Sequence, residues 1–343
     1  MLMLESRAQS RLPVDDASQV GECRRTAQRL AEACDFDATD VGRVGIVATE
    51  LANNVVKHAG RGELLVQAIR IGSAFTIEMV AVDRGRGMHV ESCMRDGYST
   101  AGTAGTGLGA VFRMSTLFDA YSFIDRGSVV VSRVDQTVRA GANGSGAHDK
   151  APEFGAICLA LAGEIECGDI WRIAQRGGEA ALMVADGLGH GALAASASRA
   201  AAAAFAQRPF DSPSECMQRL HGALAGSRGA AAACAMLTAE RAKLAYAGVG
   251  NISATVIGAD RPKGMVSHNG ILGVQLLRKQ QFDYDYNPGN RVIMHSDGMS
   301  ARWSLGDYPG LLSHHAAVIA AVLYRDHARA RDDVTVIVWG GNT

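Results

Sequence analysis

Residues Val41–Ile69, VGRVGIVATELANNVVKHAGRGELLVQAI, decide how the first half of the chain is read. Val41 to His58 reads as a helix, and Gly62 to Ile71 as the strand that follows it. Within the helix, Glu50 and Asn54 stand at i and i+4, one turn apart on the same face. A carboxamide oxygen is a suitable hard ligand for Mg2+, which keeps several waters and takes few protein ligands. A carboxylate one turn away can accept a proton from an attacking hydroxyl or water. Taken alone, such a pair is more simply a solvated helix face.

Working outward, Asp15 to Cys34 reads as an earlier helix with Val20, Ala27, Leu30 and Ala31 on one face, and Ala74–Val82 as a strand paired to Gly62–Ile71 across a Gly-Ser turn. The strand ends in Asp83-Arg-Gly85-Arg-Gly87. An Asp held there can accept a hydrogen bond from an adenine amino group, and the glycines let backbone approach a ligand; taken alone, the piece is more simply a plain strand–turn. Thr103-Ala-Gly105-Thr-Gly107-Leu-Gly109 then runs into a helix over about Leu108–Phe118, and N–H groups at a helix N-terminus suit phosphate oxygens. Strands Ala120–Asp125 and Ser128–Val134 close the half, giving a two-layer α/β sandwich. No G-x-x-x-x-G-K-[ST] is present, so this is not a P-loop protein.

The order of these pieces carries more than each does singly. E-x-x-x-N on a helix, D-x-G-x-G at a strand end and G-x-G-x-G before a helix resemble the GHKL ATPase superfamily. Within it, VGRVGIVATELANNVVKHAGRGELLVQAI and GTGLGAVFRMSTLFDAYSF look most like the small switch kinases and anti-sigma-factor serine kinases of RsbT and RsbW type. The resemblance implies ATP with Mg2+. It places Asn54 on the metal, Glu50 as base, Asp83 on adenine, and Gly85, Gly87, Thr103, Gly105, Gly107, Leu108 and Gly109 around the nucleotide. Lys57 is either a phosphate contact or a surface lysine. The lid, Met88 to Gly105, is short, and no phosphoacceptor-histidine helix precedes the domain.

Val138–Pro152, VRAGANGSGAHDKAP, is rich in Gly, Ala and Ser without apolar periodicity and reads as a flexible linker. The expected division is therefore 1–137, a linker at 138–152, and a second domain at 153–343. That domain opens with strands at Phe154–Ala162, Asp169–Gln175 and Glu179–Asp186, followed by helices at His190–Phe205 and Pro213–Gly222. Strands at Ala231–Thr238, Lys243–Gly248, Ser253–Ile257, Arg291–His295 and Val334–Trp339 and a helix at His314–Asp326 complete an α+β pattern. Aspartates mark its strand ends: Asp169, Asp186-Gly187, Asp297-Gly298 and Asp332-Asp333. Singly each is a turn; together, oxygen-only ligands suit Mn2+ or Mg2+, and two such ions can polarise a phosphoryl group and activate water.

CGDIW, LMVADGLGHGALAASASRA, YAGVGNISATV, NGILGV, VIMHSDGMSARW and RDDVTVIVW resemble the metal-dependent protein phosphatases (PPM) in their SpoIIE and RsbX-like branch. The resemblance implies an α/β-β/α four-layer fold with two Mn2+ or Mg2+ on Asp186 and Asp297, Asp332 as a further ligand, the Gly187 carbonyl assisting, and Asp169 holding one ion directly or through water. Asp333 is the lesser member of its pair, His190 a helix N-terminal residue, His295 a packing residue, and Arg172 and Arg302 surface residues rather than phosphate grips.

Composition fits two soluble cores: 343 residues, 48% hydrophobic, 20% charged, net charge −1. Such a charge gives no electrostatic reason to expect nucleic acid or a membrane as partner. Met1 to Asp16 lacks the apolar stretch of a signal peptide, so the expected location is cytoplasmic. Seven scattered cysteines without Cys-x-x-Cys read as small buried hydrophobes. The combined resemblance implies a bifunctional protein serine/threonine kinase and phosphatase acting on STAS-domain antagonists in a partner-switching pathway that controls a sigma factor or stress response. The alternative is an anti-sigma-type module that sequesters a sigma factor or other switch protein, with only the second half catalytic.

Overall fold

The structure is a computed structural model that describes residues 1–90, 107–137, 152–258, 261–275, 280–287 and 289–341. The chain groups into two units, Gln9–Ala151 with Leu305–Arg325, and Met1–Ala8 with Pro152–Ser304 and Asp326–Thr343. The contiguous division expected at 138–152 takes no account of these two exchanges. The first strand, β1 (Leu2–Ser6), pairs antiparallel with residues 173–175 and so belongs to the later unit.

The first unit carries β2 (Ser10–Val14), α1 (Val20–Glu32), α2 (Ala38–Asn54), β3 (Gly62–Ile71), β4 (Ala74–Asp83), α3 (Gly107–Met114), β5 (Leu117–Phe123) and β6 (Gly127–Asp135). Its antiparallel sheet runs β2-β3-β4-β6-β5. Alternate residues Leu64, Val66, Ala68, Ile77 and Met79 meet Ala27, Val44, Val47 and Leu51 of the helices in one core. The chain enters α1 through a capping box, in which Asp16 accepts from its own first turn and Gln19 reaches back; Asp37 caps α2 through the Asp40 N–H. The opposite face of the sheet is also buried. There Glu78 bridges Gln67 at 2.7 Å and Arg133 at 2.8 Å, so the buried charges are paired.

Leu305–Arg325 lies far along the sequence but groups with this unit. Asp119 accepts from His314 Nδ1 at 2.9 Å and His315 N at 2.7 Å, Tyr121 donates to the Pro309 carbonyl at 3.3 Å, and Arg84 donates to the Arg325 carbonyl.

The second unit carries β7 (Glu153–Leu159), β8 (Asp169–Arg176), β9 (Glu179–Gly187), α4 (Ala192–Gln207), α5 (Pro213–Ala223), β10 (Ala230–Thr238), β11 (Lys243–Val249), β12 (Ser253–Ile257), β13 (Lys263–Gly264), β14 (Ser267–His268), β15 (Phe282–Asp285), β16 (Arg291–His295) and β17 (Val334–Gly341). The last helix, α6 (Ala316–His327), falls almost wholly in the segment that groups with the first unit. One sheet runs β1-β8-β9-β10-β11, with β14 and β15 on β11, and the second runs β7-β17-β16-β12-β13. Alanines at 174, 181, 197, 201 and 232 let α4 and α5 approach the first sheet closely. Antiparallel pairing sets the start of β8 beside the end of β9, with Asp169 opposite Asp186. It likewise sets the end of β16 beside the start of β17, so all the marked aspartates reach strand ends.

Candidate functional site

In the first unit, α2 gives way after Asn54 to a π turn, Val55–Ala59, an irregularity frequent at functional sites. Glu50 and Asn54 are half-buried and meet the start of α3: a Cβ on Gly107 would lie 3.1 Å from Glu50 Oε2 and 3.3 Å from Asn54 Oδ1. Asn54 Nδ2 is buried with no hydrogen-bond partner among the described residues. An orphaned amide beside a carboxylate and a helix start fits a polar ligand such as hydrated Mg2+ on phosphate. Asp83, at the end of β4, accepts through Oδ1 from the N–H of Gly85 at 2.8 Å and of Ser128 at 3.2 Å. Neither bond uses Oδ2, which leaves an acceptor for an amino group. Burial raises the Asp83 pKa and these N–H donors oppose it.

The glycines have reasons within the protein as well. A Cβ on Gly85 would meet Ala59 at 2.7 Å, and one on Gly87, at φ +72°, would run into the Phe123 carbonyl. Leu108 is buried in the helix–sheet core, so only its backbone can serve a nucleotide, and Gly109 is buried beside it. Lys57 is exposed. Thr103 and Gly105, and the lid beyond Val90, lie outside the described residues.

In the second unit, Asn251, just past the end of β11, joins two of the aspartates. Its Nδ2 donates to Asp297 Oδ2 at 2.7 Å and to Asp186 Oδ2 at 3.3 Å. Ser296 Oγ donates to Asp169 Oδ2 at 2.6 Å and accepts from Thr335 N at 2.9 Å. Asp169 is buried, and its Oδ1 has no hydrogen-bond partner among the described residues. Burial, then the charges of Asp297 and Asp332, push Asp186 up to about 7. Burial and the Asp186 charge raise Asp169, and burial with the Asp297 charge raises Asp332. Among the described residues no three His, Cys, Asp or Glu side chains form a ready-made coordination sphere; the Asn251 amide stands between two of the carboxylates instead. Mutually repelling carboxylates and an orphaned buried oxygen nevertheless fit hard divalent cations, which supply the missing countercharge.

Residues 12–133 match the family model of the histidine kinase-like ATPase domain, and residues 176–340 that of stage II sporulation protein E, SpoIIE. The serine/threonine-protein kinase RsbT of Bacillus subtilis (strain 168) is 28% identical over 108 residues, 31% of this chain and 81% of RsbT. A chain solved in work on the bacterial stressosome, a modular system adapted to control secondary messenger signalling, is 30% identical with a TM-score of 0.51. That match covers 54% of this chain and 97% of the solved one. The PP2C phosphatase domain of SpoIIE from Bacillus subtilis, solved with a fragment of its regulatory domain, is 16% identical, covers 79% of this chain and 80% of that one, and has a TM-score of 0.46. The chain joins a histidine kinase-like ATPase domain to a SpoIIE-type phosphatase domain.

In the phosphatase domain, Asp333 accepts from Leu161 N at 2.7 Å and Gly168 N at 2.8 Å. Both its oxygens hold the loop before β8, while Asp332 stays partly open to solvent. His295 is buried; its Nδ1 donates to the Ser296 carbonyl at 2.8 Å and its Nε2 accepts from Trp303 at 3.2 Å. It is a packing residue, and burial lowers its pKa. His190 pairs with Glu164 at 2.6 Å just before α4, and Arg172 pairs with Glu5 at 3.0 Å, tying β1 to β8. Arg302 is exposed. Sequence reasoning missed Asn251, Ser296 and Arg329. Arg329 donates to the Gly298 carbonyl at 2.7 Å and, through its side chain, to the Asp297 carbonyl at 3.4 Å. Asn251 did leave a signal, since Gly250-Asn251 follows a strand just as each Asp-Gly pair does.

The chain is therefore an enzyme of phosphatase type with an ATPase domain similar to a serine kinase. Among its described residues no helix is long and apolar enough to cross a membrane.

Proposed function

We propose that the chain both phosphorylates and dephosphorylates Ser or Thr side chains of partner proteins in a bacterial partner-switching pathway, with STAS-domain antagonists as the substrate class and a sigma factor or stress response downstream. The observation that supports it most is the junction of Asp186, Asp297 and Asn251 where strand ends of the two sheets meet, with Asp169 bound to Ser296 beside it. Asp186, Asp297 and Asp332 would hold two Mn2+ or Mg2+ ions, with Asp169 and the Gly187 carbonyl assisting. Bound there, the cations supply charge neutralisation and water activation for attack on a phosphoryl group. Ser296 and Asn251 orient the carboxylates, and Asp333 fixes the loop that carries Asp169.

In the ATPase domain, Asp83 Oδ2 would accept from the adenine amino group, and Asn54 would hold Mg2+ with the glycine loop around the phosphates. Glu50, half-buried against Gly107, would take a proton from an incoming hydroxyl. RsbT, the relative that matches this half, is a serine/threonine-protein kinase, which favours phosphotransfer over sequestration alone.

The deciding experiment measures phosphate release from a phosphoserine-bearing STAS protein with Mn2+, with Mg2+ and with excess chelator, and phosphate transfer from labelled ATP to the same protein. Release only with metal, lost in Asp186→Ala and Asp297→Ala, together with transfer lost in Glu50→Gln, supports the reading. Release in chelator removes the metal site from it. Stable capture of a sigma factor without any transfer replaces the kinase with a sequestering module.

A further inference from the structure

We propose that Cys158 and Cys167 are a peroxide-sensitive dithiol whose oxidation to a disulfide switches off the neighbouring phosphatase site. The inference rests on the phosphatase reading of Asp169 and Asp186. Its own ground is the placement of the two sulfurs behind those carboxylates.

The Sγ atoms are 3.7 Å apart. A disulfide bond is about 2.05 Å long, so closure draws them together by less than about 2 Å. Cys158 lies in β7 and Cys167 at the end of the short loop that leads to β8, so the cross-link closes a small loop at little entropic cost. Both residues are half-buried, within reach of a small oxidant. Cys216 and Cys234 make the contrast. Their sulfurs are closer, at 3.0 Å, but the residues are 1% and 2% exposed in the core between α5 and β10.

Movement of Cys167 has a direct path to the site. The next residue, Gly168, donates to Asp333 Oδ2 at 2.8 Å, and its carbonyl accepts from Gly187 N at 3.0 Å and from Ser198 Oγ. Gly168 has no slack, since even a Cβ there would lie 2.7 Å from Asp333 Oδ2 and 2.9 Å from the Ala194 Cβ. Cys158 Sγ stands 3.5 Å from the Asp169 carbonyl. Drawing Cys167 toward β7 therefore shifts Gly168 and Asp169 together, against Asp186 across the ladder.

The chemistry balances with hydrogen peroxide as oxidant. One thiolate attacks the peroxide, an S–O bond forms, the O–O bond breaks, and hydroxide leaves to be protonated to water. The second sulfur attacks the resulting sulfenic acid, the S–S bond forms, the S–O bond breaks, and a second water departs with the thiol proton. The sulfur pair loses two electrons and the peroxide gains them. A dithiol reductant reverses the change by exchange.

The test uses the full chain, reduced and then treated with hydrogen peroxide, with cross-links mapped in non-reduced peptides and phosphate release measured on a phosphoserine protein. The expected result is a Cys158–Cys167 cross-link, lighter by about 2 Da than the reduced pair, that appears before any Cys216–Cys234 link. Activity falls by about 10- to 100-fold, as for a displacement near 1 Å at a reacting centre, and returns with dithiothreitol. Cys158→Ser and Cys167→Ser, each checked for an unchanged melting temperature, keep their activity through peroxide. An active reduced chain that forms no such link, or forms it at full activity, overturns the switch alone, as does equal inactivation of both folded variants. A reduced chain with no phosphate release under any metal condition overturns the phosphatase reading and the switch with it.

Discussion

Asp186, the last residue but one of β9, sits in a place that folds poorly with its charge present, because burial and the charges of Asp297 and Asp332 push its pKa up to about 7 from the ordinary 3.8. Between those two values the folded chain holds a proton that the unfolded chain has released. Without metal, stability therefore falls as pH rises across that window and stays low above it. Asp186→Asn removes the repulsion and keeps an acceptor for Asn251. In excess chelator at pH 8 its phosphatase domain is expected to melt about 2–4 °C higher than the native chain, while metal-dependent phosphate release is lost. An unchanged or lower melting temperature by calorimetry would show that the carboxylates do not repel as the geometry requires. The proposed nucleotide site makes a matching prediction. Asp83 Oδ1 is committed to Gly85 and Ser128, so Asp83→Asn is expected to keep the turn but weaken ATP-analogue binding by about 10- to 100-fold, the worth of a hydrogen bond to a charged group. Titration calorimetry that finds native affinity would take Asp83 out of the site. The strand-end positions of these carboxylates are legible in the sequence, because an Asp with Gly one or two residues later is a local pattern. Asn251 and Ser296 were not, because their roles depend on which strand ends meet across two sheets.

At the scale of elements, the sequence was read most accurately where a strand or helix is bounded by its own chemistry. Ser253–Ile257 and Arg291–His295 have the observed bounds, and α5 begins at Pro213 behind a Ser212–Glu215 capping box. An element that ends for tertiary reasons leaves no such mark in the sequence. The helix expected to run to Phe118 stops at Met114, since Leu117 and Phe118 pair with Arg133 and Ser132 in the sheet. Strands β1 and β2 were not foreseen. Each has only five residues, and Pro13 weakens the signal, although it is tolerated on an edge strand. Two glycines, Gly298 in the turn after β16 and Gly107 at the start of α3, carry opposite expectations. On Gly298 a Cβ would run into the Asp333 carbonyl and lie 2.9 Å from the Val334 Cα. Backbone cannot yield there, so Gly298→Ala is expected to destabilise the phosphatase domain by about 3 kcal/mol or more. On Gly107 the Cβ meets only the far ends of Glu50 and Asn54. Gly107→Ala is thus expected to leave the melting temperature nearly unchanged while phosphotransfer falls. Paired unfolding and transfer assays check both, and a strongly destabilised Gly107→Ala would mean that the start of α3 holds the fold rather than the site.

For the whole molecule, the glycine-rich composition of 138–152 is plain in the sequence, whereas the exchange of segments is not. A five-residue strand, LMLES, has no periodicity that says which sheet it joins. α6 is buried over Ala316–Arg325 on every side, so its sequence announces a covered helix without naming the cover. The contacts supply the answer: Leu2, Met3 and Leu4 pair with Gln175, Ala174 and Ile173 of β8, and Leu4 is fully buried. A fragment cut at the linker, residues 152–343, therefore loses the edge strand of its first sheet. It also keeps Leu305–Arg325 without the unit that holds it. An uncovered strand edge and an apolar helix both favour aggregation, so the fragment is expected to melt lower and recover poorly. Because truncation changes many contacts at once, Leu4→Ala in the full chain is the sharper test. Removing a fully buried leucine costs about 2–5 kcal/mol, and the loss should fall on the unit to which Leu4 belongs. The melting transition that responds to Mn2+ is expected to drop, while the transition that responds to ATP analogue holds its position. If instead the ATP-responsive transition moves and the Mn2+-responsive one does not, β1 belongs to the ATPase domain in solution and the division of the chain follows the linker after all.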